Sequence, residues 1–260
     1  NDERLKKDLG VASRRSRAMD DRTVTENREV SEDDRLEMMR EDPDTYSNVW
    51  EGNPVEVLEG AVYAEQLRRA RSDGRFTSIP IDRSKPITTF WDLGKADATS
   101  IWFVQRVGFD LRVVDFYENR GQGLPHYLKV LQDRGYLYET DWLPHDARAK
   151  QLGTGRSVEE LMRAAGRTVR IVPQLSIADG INAARMVWPR CWFDEEKTRR
   201  GLECLQNYRR ELNEKLGEFR PTPVHDWASH GADAFRYLAV SIDRSLKKLE
   251  PINYGKSGVI

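Results

Sequence analysis

Apolar and polar positions change their spacing along the chain, and this pattern separates a charged leading stretch from a folded body. Residues 1–44 are dense in charge and poor in large apolar side chains, which is typical of a linker or an extended arm. Within this stretch, a short capped helix is predicted from Ser31 to just before Pro43. Large apolar side chains return from Tyr46 to Tyr63, so we expect that segment to pack, whereas residues 71–84 are polar and indicate a second connector.

From Ile87 onward the pattern alternates between strand and helix. Three β-rich runs at 88–93, 101–107 and 111–117 come first, with a turn at Gly108 between the second and the third. A helix that ends at Gly135 and a strand at 137–143 follow. Ser157 and Glu160 form a capping box that opens the next helix. A strand at 168–172 and a helix at 176–187 come after it. The remaining spacing predicts one long amphipathic helix and a last helix, with these apolar positions: Leu202, Leu205, Tyr208, Leu212 and Leu216 in the first, and Phe235, Leu238, Ala239 and Ile242 in the second.

The resulting order, β-β-β-α-β-α-β-α-α-α, predicts the fold class. Hairpin-linked strands followed by strands that are joined through helices give an α/β protein with a mixed sheet and helices on both faces. We assign residues 1–60 to a linker arm, residues 61–245 to the folded domain and residues 246–260 to a C-terminal tail.

The charge and the composition of the chain exclude few classes of function. The chain has 42 Lys and Arg against 43 Asp and Glu, so binding of nucleic acid would depend on local patches or on metal ions. No apolar run approaches the ~18 residues of a membrane span. The chain starts at Asn1 without a leader, so we expect a fragment of a longer protein that is not secreted. Cys191 and Cys204 lack the spacing of a zinc site. A disulfide framework would need more cysteines, so we expect a reducing cytosol.

Three acids stand at the ends of predicted elements, where a sheet could bring them together. Asp92 lies among apolar neighbours on the same strand face as Phe90, so its carboxylate needs a partner or a metal ion. Asp146 follows the strand at 137–143, and Asp233 lies in the first turns of the last helix. Hard divalent cations prefer oxygen ligands, and two of them ~4 Å apart can hydrolyse a phosphodiester. The set therefore predicts a carboxylate site for two ions, without a histidine or cysteine cage.

Each of these residues also has a purely structural interpretation. Asp92 could end an edge strand, Asp146 could form a turn, and Asp233 could simply favour the start of a helix. Asp226 lies one heptad before Asp233 and could reach a metal, although a helix N-cap is its simpler role. His230, one turn before Asp233, could orient that carboxylate, touch a phosphate, or only cap the helix.

Other candidates carry less information. Arg148, Lys150 and Arg156 follow Asp146 and could contact DNA phosphates, although a solvated loop is the default for such charges. Asp97 is assigned to the turn after the first strand. Gly255-Lys-Ser lacks the first glycine and the strand–loop–helix setting of a nucleotide-binding P-loop. Ser229 and His230 lack the nucleophile elbow of a serine hydrolase.

Several segments of the chain stand in an order that is similar to one known protein family. Phe90-Trp-Asp-Leu-Gly-Lys-Ala-Asp resembles the first nuclease strand of the large subunit of phage terminases, and Leu143-Pro-His-Asp-Ala resembles the second acidic motif of that family. Pro223-Val-His-Asp-Trp-Ala-Ser-His-Gly-Ala-Asp looks like the third, which is the most specific of the set. The segment at 41–63 is similar to the join between the packaging ATPase and the nuclease, and the likeness covers roughly residues 26–245 in a consistent order.

The resemblance implies an RNase H-like nuclease domain that binds two Mg²⁺ or Mn²⁺ ions through Asp92, Asp146 and Asp233. It implies an endonuclease that cuts concatemeric double-stranded viral DNA in the host cytoplasm, with the portal protein and the small terminase subunit as partners and without a membrane. Either acid of the third motif, Asp226 or Asp233, could reach a metal. Two alternatives stay open: an RNase H-like strand transferase or resolvase, and a non-catalytic module that binds DNA or docks on the portal.

Overall fold

The computed structural model describes residues 58–94, 97–151 and 155–242. The helices are α1 (Ala64–Ser72), α2 (Leu124–Arg134), α3 (Val158–Ala164), α4 (Ile177–Val187), α5 (Arg199–Asn207) and α6 (Ser229–Ile242). The strands are β1 (Phe76–Thr77), β2 (Ile87–Asp92), β3 (Ala98–Val107), β4 (Asp110–Arg120), β5 (Tyr138–Leu143), β6 (Val169–Ile171), β7 (Cys191–Asp194), β8 (Arg210–Asn213) and β9 (Glu218–Pro223). None of the described helices combines the length and the apolar character that crossing a membrane requires.

Seven of the strands form one mixed sheet in the order β1-β7-β4-β3-β2-β5-β6. β2, β3 and β4 pair antiparallel, whereas β5 lies parallel to β2 and β6 lies parallel to β5. The other two strands, β8 and β9, form a separate antiparallel hairpin. The carboxyl ends of β2 and β5 therefore open at the same edge of the sheet.

Each face of the sheet has its own apolar core, because successive side chains of a strand point to opposite faces. Phe90, Trp102 and Phe116 pack on one face with residues of α4, α5 and α6. Trp91 and Ile101 belong to the opposite face, which α2 and α3 cover. The predicted mixed sheet with helices on both faces is confirmed.

Helix α6 holds several candidate site residues in place over the sheet. It packs against β2, β3 and β5 of the sheet and against α4 and α5. At its N-terminal end, the indole Nε1 of Trp102 donates a buried hydrogen bond of 2.8 Å to the carbonyl oxygen of Gly231. This bond joins the first turn of α6 to the centre of β3, so the side chains of that turn lie at a fixed place over the sheet.

Two residues that were predicted to begin or end helices do so in the structure. Ser157 and Glu160 form the expected capping box at the start of α3, with Ser157 Oγ accepting from the Glu160 amide at 3.1 Å. Gly135 ends α2 with a left-handed backbone, φ 61°. Val62 and Tyr63, which were expected to pack, are buried in the core. The predicted helix from Ser31 lies outside the described residues, as do residues 1–57 of the predicted arm and the whole of the predicted tail at 246–260.

Two predicted elements are wrong. The long amphipathic helix ends at Asn207, and Leu212 and Leu216 belong to the β8–β9 hairpin, where Leu212 lies in β8 and Leu216 in the turn. The helix ends at Asn207 because the chain becomes extended at Tyr208, whose carbonyl accepts a hydrogen bond from the Val62 amide. The apolar positions after Tyr208 keep a helical spacing without forming a helix. The second connector at 71–84 is also wrong in part, since it contains the end of α1 and the edge strand β1.

Candidate metal centre at the open edge of the sheet

Asp92 is the last residue of β2, and its side chain lies on the face that α6 covers. Its Oδ2 accepts a hydrogen bond of 3.0 Å from Nδ1 of His230, in the first turn of α6. Both side chains are largely withdrawn from water, at 9% exposure for His230 and 15% for Asp92. The side chain that pairs with Asp92 is thus His230, whereas orienting Asp233 was one of several roles that the sequence left open for this histidine.

Asp146 reaches the same edge from the neighbouring parallel strand. β5 pairs with β2 in a register that places Trp142 beside Phe90, and β5 ends at Leu143. A short 3₁₀ turn, His145–Arg148, follows and carries Asp146 on its solvent-exposed side. Two of the three predicted acids therefore follow the carboxyl ends of adjacent strands.

Asp233 faces this edge from α6 and is held by two side chains. Arg236 donates to Asp233 Oδ1 from Nε at 3.1 Å and from Nη2 at 2.6 Å. The hydroxyl of Tyr208 donates to the same oxygen at 3.5 Å. Burial alone would lower the pKa of Arg236, but the negative charge of Asp233 raises it above its usual value. Asp233 is therefore a half-buried carboxylate with a fixed orientation.

The charges of Asp146 and Asp233 act on the carboxyl group of Asp92. Burial raises the pKa of Asp92 to about 6, the hydrogen bond from His230 opposes that shift, and the charges of Asp233 and Asp146 add to it. Burial also raises the pKa of the Tyr237 hydroxyl, and the charges of Asp92, Asp233 and Asp146 raise it further. The charges of all three acids thus act at the same place beside α6.

The donor set fits a hard divalent cation. His230 engages Oδ2 of Asp92 and Arg236 engages Oδ1 of Asp233, so each carboxylate retains a second oxygen that could bind a metal ion. The exposed carboxylate of Asp146 adds further oxygens at the same edge. Oxygen-only donor sets of this kind suit Mg²⁺ and Mn²⁺.

Asp226 is placed differently from the other acids. Its Oδ1 accepts from the amide of Ala228 at 2.9 Å, and its Oδ2 accepts from Nη1 of Arg209 at 2.8 Å. Both oxygens are thereby engaged immediately before α6. The bond from the Ala228 amide closes a turn ahead of α6, which begins at Ser229, so this geometry favours a structural role of Asp226 over a metal-binding one.

The basic candidates all lie on the surface beyond Asp146. Arg148 pairs with Glu159 at 3.2 Å, and Arg156 donates to the carbonyl oxygen of Glu160 at 3.5 Å. Lys150 is exposed and its backbone forms an isolated bridge with Ser157. These positions surround the start of α3, next to the open edge of the sheet.

Several residues at this edge were not singled out as site residues from the sequence. Tyr237 and the Asp233 partner Arg236 lie four and three residues after Asp233, and this helical spacing alone could have indicated them. Tyr208 comes from the end of α5, and no local pattern connects it with α6. No sequence pattern points to His225, and Asp97 lies in the loop after β2, in agreement with the turn predicted there.

Within the described part of the chain, one group of three residues brings possible metal-ligand atoms within 4.8 Å of one another. It consists of Asp97 from the loop between β2 and β3, His225 from the segment before α6, and His230 from α6. His230 thus belongs both to this group and to the hydrogen bond with Asp92. No sequence pattern indicated imidazole ligands here.

The sheet order and the helices on both faces give an α/β domain with an RNase H-like fold. The described chain is similar to the large terminase of a thermophilic bacteriophage in complex with ADP, with a TM-score of 0.55, 17% identity and coverage of 83% of this chain and 52% of that one. A second crystal form of the same terminase gives a TM-score of 0.50 at 16% identity, over 83% of this chain and 52% of that chain.

A third likeness concerns an isolated domain. The nuclease domain of the large terminase from bacteriophage SPP1 with bound Mn gives a TM-score of 0.48 at 13% identity, over 65% of this chain and 94% of that domain. This chain spans about half of the length of the thermophilic phage's large terminase, 52%. Comparison with protein-family models gives no match, and comparison with curated protein sequences gives none either. The RNase H-like fold predicted from the resemblance is confirmed.

Proposed function

We propose that the chain is a divalent-metal-dependent DNA endonuclease that cuts concatemeric double-stranded viral DNA during genome packaging. The observation that carries the proposal is the placement of Asp92 and Asp146 after adjacent parallel strands, opposite Asp233 of α6. The charges of Asp233 and Asp146 add to the rise in the pKa of Asp92, which is consistent with a shared site. The fold shared with the thermophilic phage's large terminase supports the packaging context.

In this proposal Asp92, Asp146 and Asp233 hold two Mg²⁺ or Mn²⁺ ions. Bound there, such ions would lower the pKa of an attacking water and neutralise charge on the leaving oxygen of the phosphodiester. Asp226, engaged by Arg209 and the Ala228 amide, stays outside the ligand set.

The protein side chains supply orientation. Arg236 fixes Asp233 through two donated hydrogen bonds and balances its charge in a half-buried setting. His230, from the first turn of the same helix, orients Asp92 through one hydrogen bond to its Oδ2. Since catalytic geometry tolerates little displacement, these two contacts keep the carboxylates ready to bind cations before the DNA arrives.

The DNA backbone would lie along the exposed surface near Asp146. Arg148, Lys150 and Arg156 offer positive charge there, and contacts with phosphate carry no sequence information. We therefore expect cleavage with little sequence preference. As part of a packaging machine the chain would act in the host cytoplasm, with the portal protein and the small terminase subunit as partners.

The test is cleavage of supercoiled plasmid by the chain in Mn²⁺ or Mg²⁺, with and without EDTA. Asp92→Asn and Asp233→Asn should each lower the cleavage rate by roughly 100-fold or more, the scale of losing a catalytic electrostatic contact. Asp133→Asn, at an exposed carboxylate on α2, is the matched control and should cut normally.

Three results would contradict the proposal. Undiminished cutting by Asp92→Asn would show that the carboxylate site takes no part in cleavage. Joined strands among the products would favour a strand transferase instead of a hydrolase. Binding of DNA without any cleavage in either metal would favour the non-catalytic docking module.

A further inference from the structure

We propose that Asp97, His225 and His230 form a second binding site, for one divalent transition-metal cation such as Co²⁺ or Zn²⁺, beside the carboxylate centre. One ligand atom from each of the three side chains lies within 4.8 Å of the others, so a single cation can contact all three. Imidazole nitrogens suit transition metals, whereas Mg²⁺ prefers oxygen. This site goes beyond the proposed nuclease reaction and does not depend on it.

The hydrogen bonds of His225 leave one ring nitrogen without a hydrogen, which is the form that binds a metal. The Ser229 hydroxyl donates its one hydrogen to the carbonyl oxygen of Asp226 at 2.7 Å. Towards His225 Nδ1, at 3.0 Å, the same hydroxyl can then only accept. His225 therefore carries its proton on Nδ1, and in the neutral ring Nε2 presents a lone pair.

His230 is prepared in the same manner. An ionised carboxylate only accepts hydrogen bonds, so the 3.0 Å contact with Asp92 Oδ2 requires a proton on Nδ1 of His230. In the neutral ring, Nε2 again remains for a cation. A histidine whose other nitrogen donates to a carboxylate is the usual arrangement around protein-bound metals, because the carboxylate orients the ring and raises its basicity.

The loop between β2 and β3 brings Asp97 to the two histidines. A Cβ added to Gly94 would lie 2.5 Å from the carbonyl oxygens of both Asp97 and Ala98, so glycine is required for the chain to fold back this closely. The Gly94 amide also donates to Thr99 Oγ1 at 3.1 Å, which closes the loop. The imidazole rings of His225 and His230 meet edge to face, with centroids 5.4 Å apart.

Three protein ligands leave at least one coordination position for water or for an oxygen of another molecule. The site therefore takes an exchangeable cation whose outer position faces solvent, since Asp97 and His225 are exposed and His230 is buried. Through the shared His230, a cation here is joined to Asp92 of the carboxylate centre.

Isothermal calorimetry tests this inference on the whole 260-residue chain, stripped of metal with EDTA and titrated with Co²⁺ in the presence of saturating Mg²⁺. We expect one Co²⁺ ion that Mg²⁺ does not displace. His225→Asn and Asp97→Asn should weaken its binding by roughly 10-fold or more, because changes even outside the ligands of a metal reach that size. His126→Asn and Asp133→Asn, outside the group, are the matched controls and should bind as the unmodified chain does.

The variant Asp146→Asn distinguishes the two sites. It changes the carboxylate centre, and it should still bind the Co²⁺ ion that Mg²⁺ does not displace. Equal Co²⁺ affinity in the unmodified chain and in His225→Asn would overturn the inference, as would loss of the ion in Asp146→Asn alone. Plasmid cleavage in Mg²⁺ without Co²⁺ decides the nuclease proposal independently. Circular dichroism of each variant shows whether a loss of binding reflects a loss of folding.

Discussion

His230 and Asp92 are joined by a hydrogen bond of 3.0 Å although 138 positions separate them in the sequence. The bond ties the first turn of α6 to the last residue of β2. Because Asp233 lies one turn further along α6, the same contact sets the distance between two acids of the proposed nuclease centre. The geometry of the centre therefore depends on how α6 sits on the sheet.

The first prediction concerns the pH dependence of cleavage. The pKa of Asp92 is raised from 3.8 to about 6, mainly by burial, and only the ionised form binds a cation. At metal concentrations below saturation, the cleavage rate should therefore fall as the pH is lowered through about 6. Initial rates of plasmid cleavage between pH 5 and pH 8 measure this. A rate that stays constant down to pH 5 would contradict the role of Asp92.

The second prediction concerns the stability of the metal-free protein. Because the folded pKa of Asp92 is raised, its stabilising contribution is complete below pH 3.8 and is lost as the pH rises through about 6. At pH 8 the charged carboxylate thus costs up to about 3 kcal/mol, at 1.36 kcal/mol for each pKa unit.

Asp92→Asn removes that charge, so it should raise the free energy of unfolding in EDTA at pH 8 and should have little effect at pH 4. Urea denaturation at both pH values measures the difference. The control Asp133→Asn, at an exposed pair with Lys129, should change stability by less than about 0.5 kcal/mol at either pH. An equal gain for Asp92→Asn at both pH values would exclude the charge as the cause.

The third prediction concerns the ion pair of Arg236 and Asp233. The Arg236 side chain is 8% exposed, so Arg236→Leu leaves a half-buried carboxylate without its partner and should cost about 3–5 kcal/mol of unfolding free energy. Arg236→Lys keeps the charge but loses the two-point geometry, so cleavage should fall more than stability does.

Denaturation curves and cleavage rates of both variants, measured together, separate the two effects. Arg69→Leu, which breaks an exposed pair with Glu65 on α1, should change stability by less than about 1 kcal/mol. Wild-type cleavage by Arg236→Lys would show that Asp233 needs no fixed orientation.

The sequence predicts most of the sheet because its strands carry strong local signals. β2, β3 and β4 contain runs of β-branched and aromatic residues. Ser157 and Gly135 mark helix ends through backbone chemistry that acts within a few residues. Asp92, Asp146 and Asp233 could be proposed because each stands where such an element ends or begins.

The features that the sequence does not predict depend on contacts between distant parts of the chain. β1 has two residues and is defined by its pairing with β7, far along the sequence. The end of α5 at Asn207 follows from the bond of Tyr208 with Val62. In the same way, the pairing of His230 with Asp92 and the approach of His225 to Asp97 require the packed position of α6, which no local pattern encodes.

The fourth prediction concerns the contact of α5 with the sheet. Alanine normally stabilises a helix interior relative to glycine by about 1 kcal/mol. A Cβ at Gly201 would lie 2.3 Å from Cη2 of Trp102 and 2.8 Å from Cδ2 of Phe116, both of which are large rings within the core. Gly201→Ala should therefore destabilise the protein, by about 1–3 kcal/mol.

Thermal and urea unfolding measure the effect of Gly201→Ala. Gly123→Ala is the matched control, because the added Cβ would meet its nearest neighbour at an ordinary 3.6 Å and the backbone is extended there. We expect this control to change stability by no more than about 1 kcal/mol. A stabilised Gly201→Ala variant would mean that α5 can move away from Trp102 at little cost.

The last prediction concerns the two cysteines. Burial raises the pKa of both Cys191 and Cys204 to about 12, and neither thiol forms a disulfide. Because the thiolate is the reactive form, neither residue should react with a disulfide reagent while the protein is folded, and both should react once it is unfolded. Ser72→Cys, at an exposed position of α1, should add one thiol that reacts at once. Prompt labelling of Cys204 in the folded protein would mean that α5 separates readily from α6.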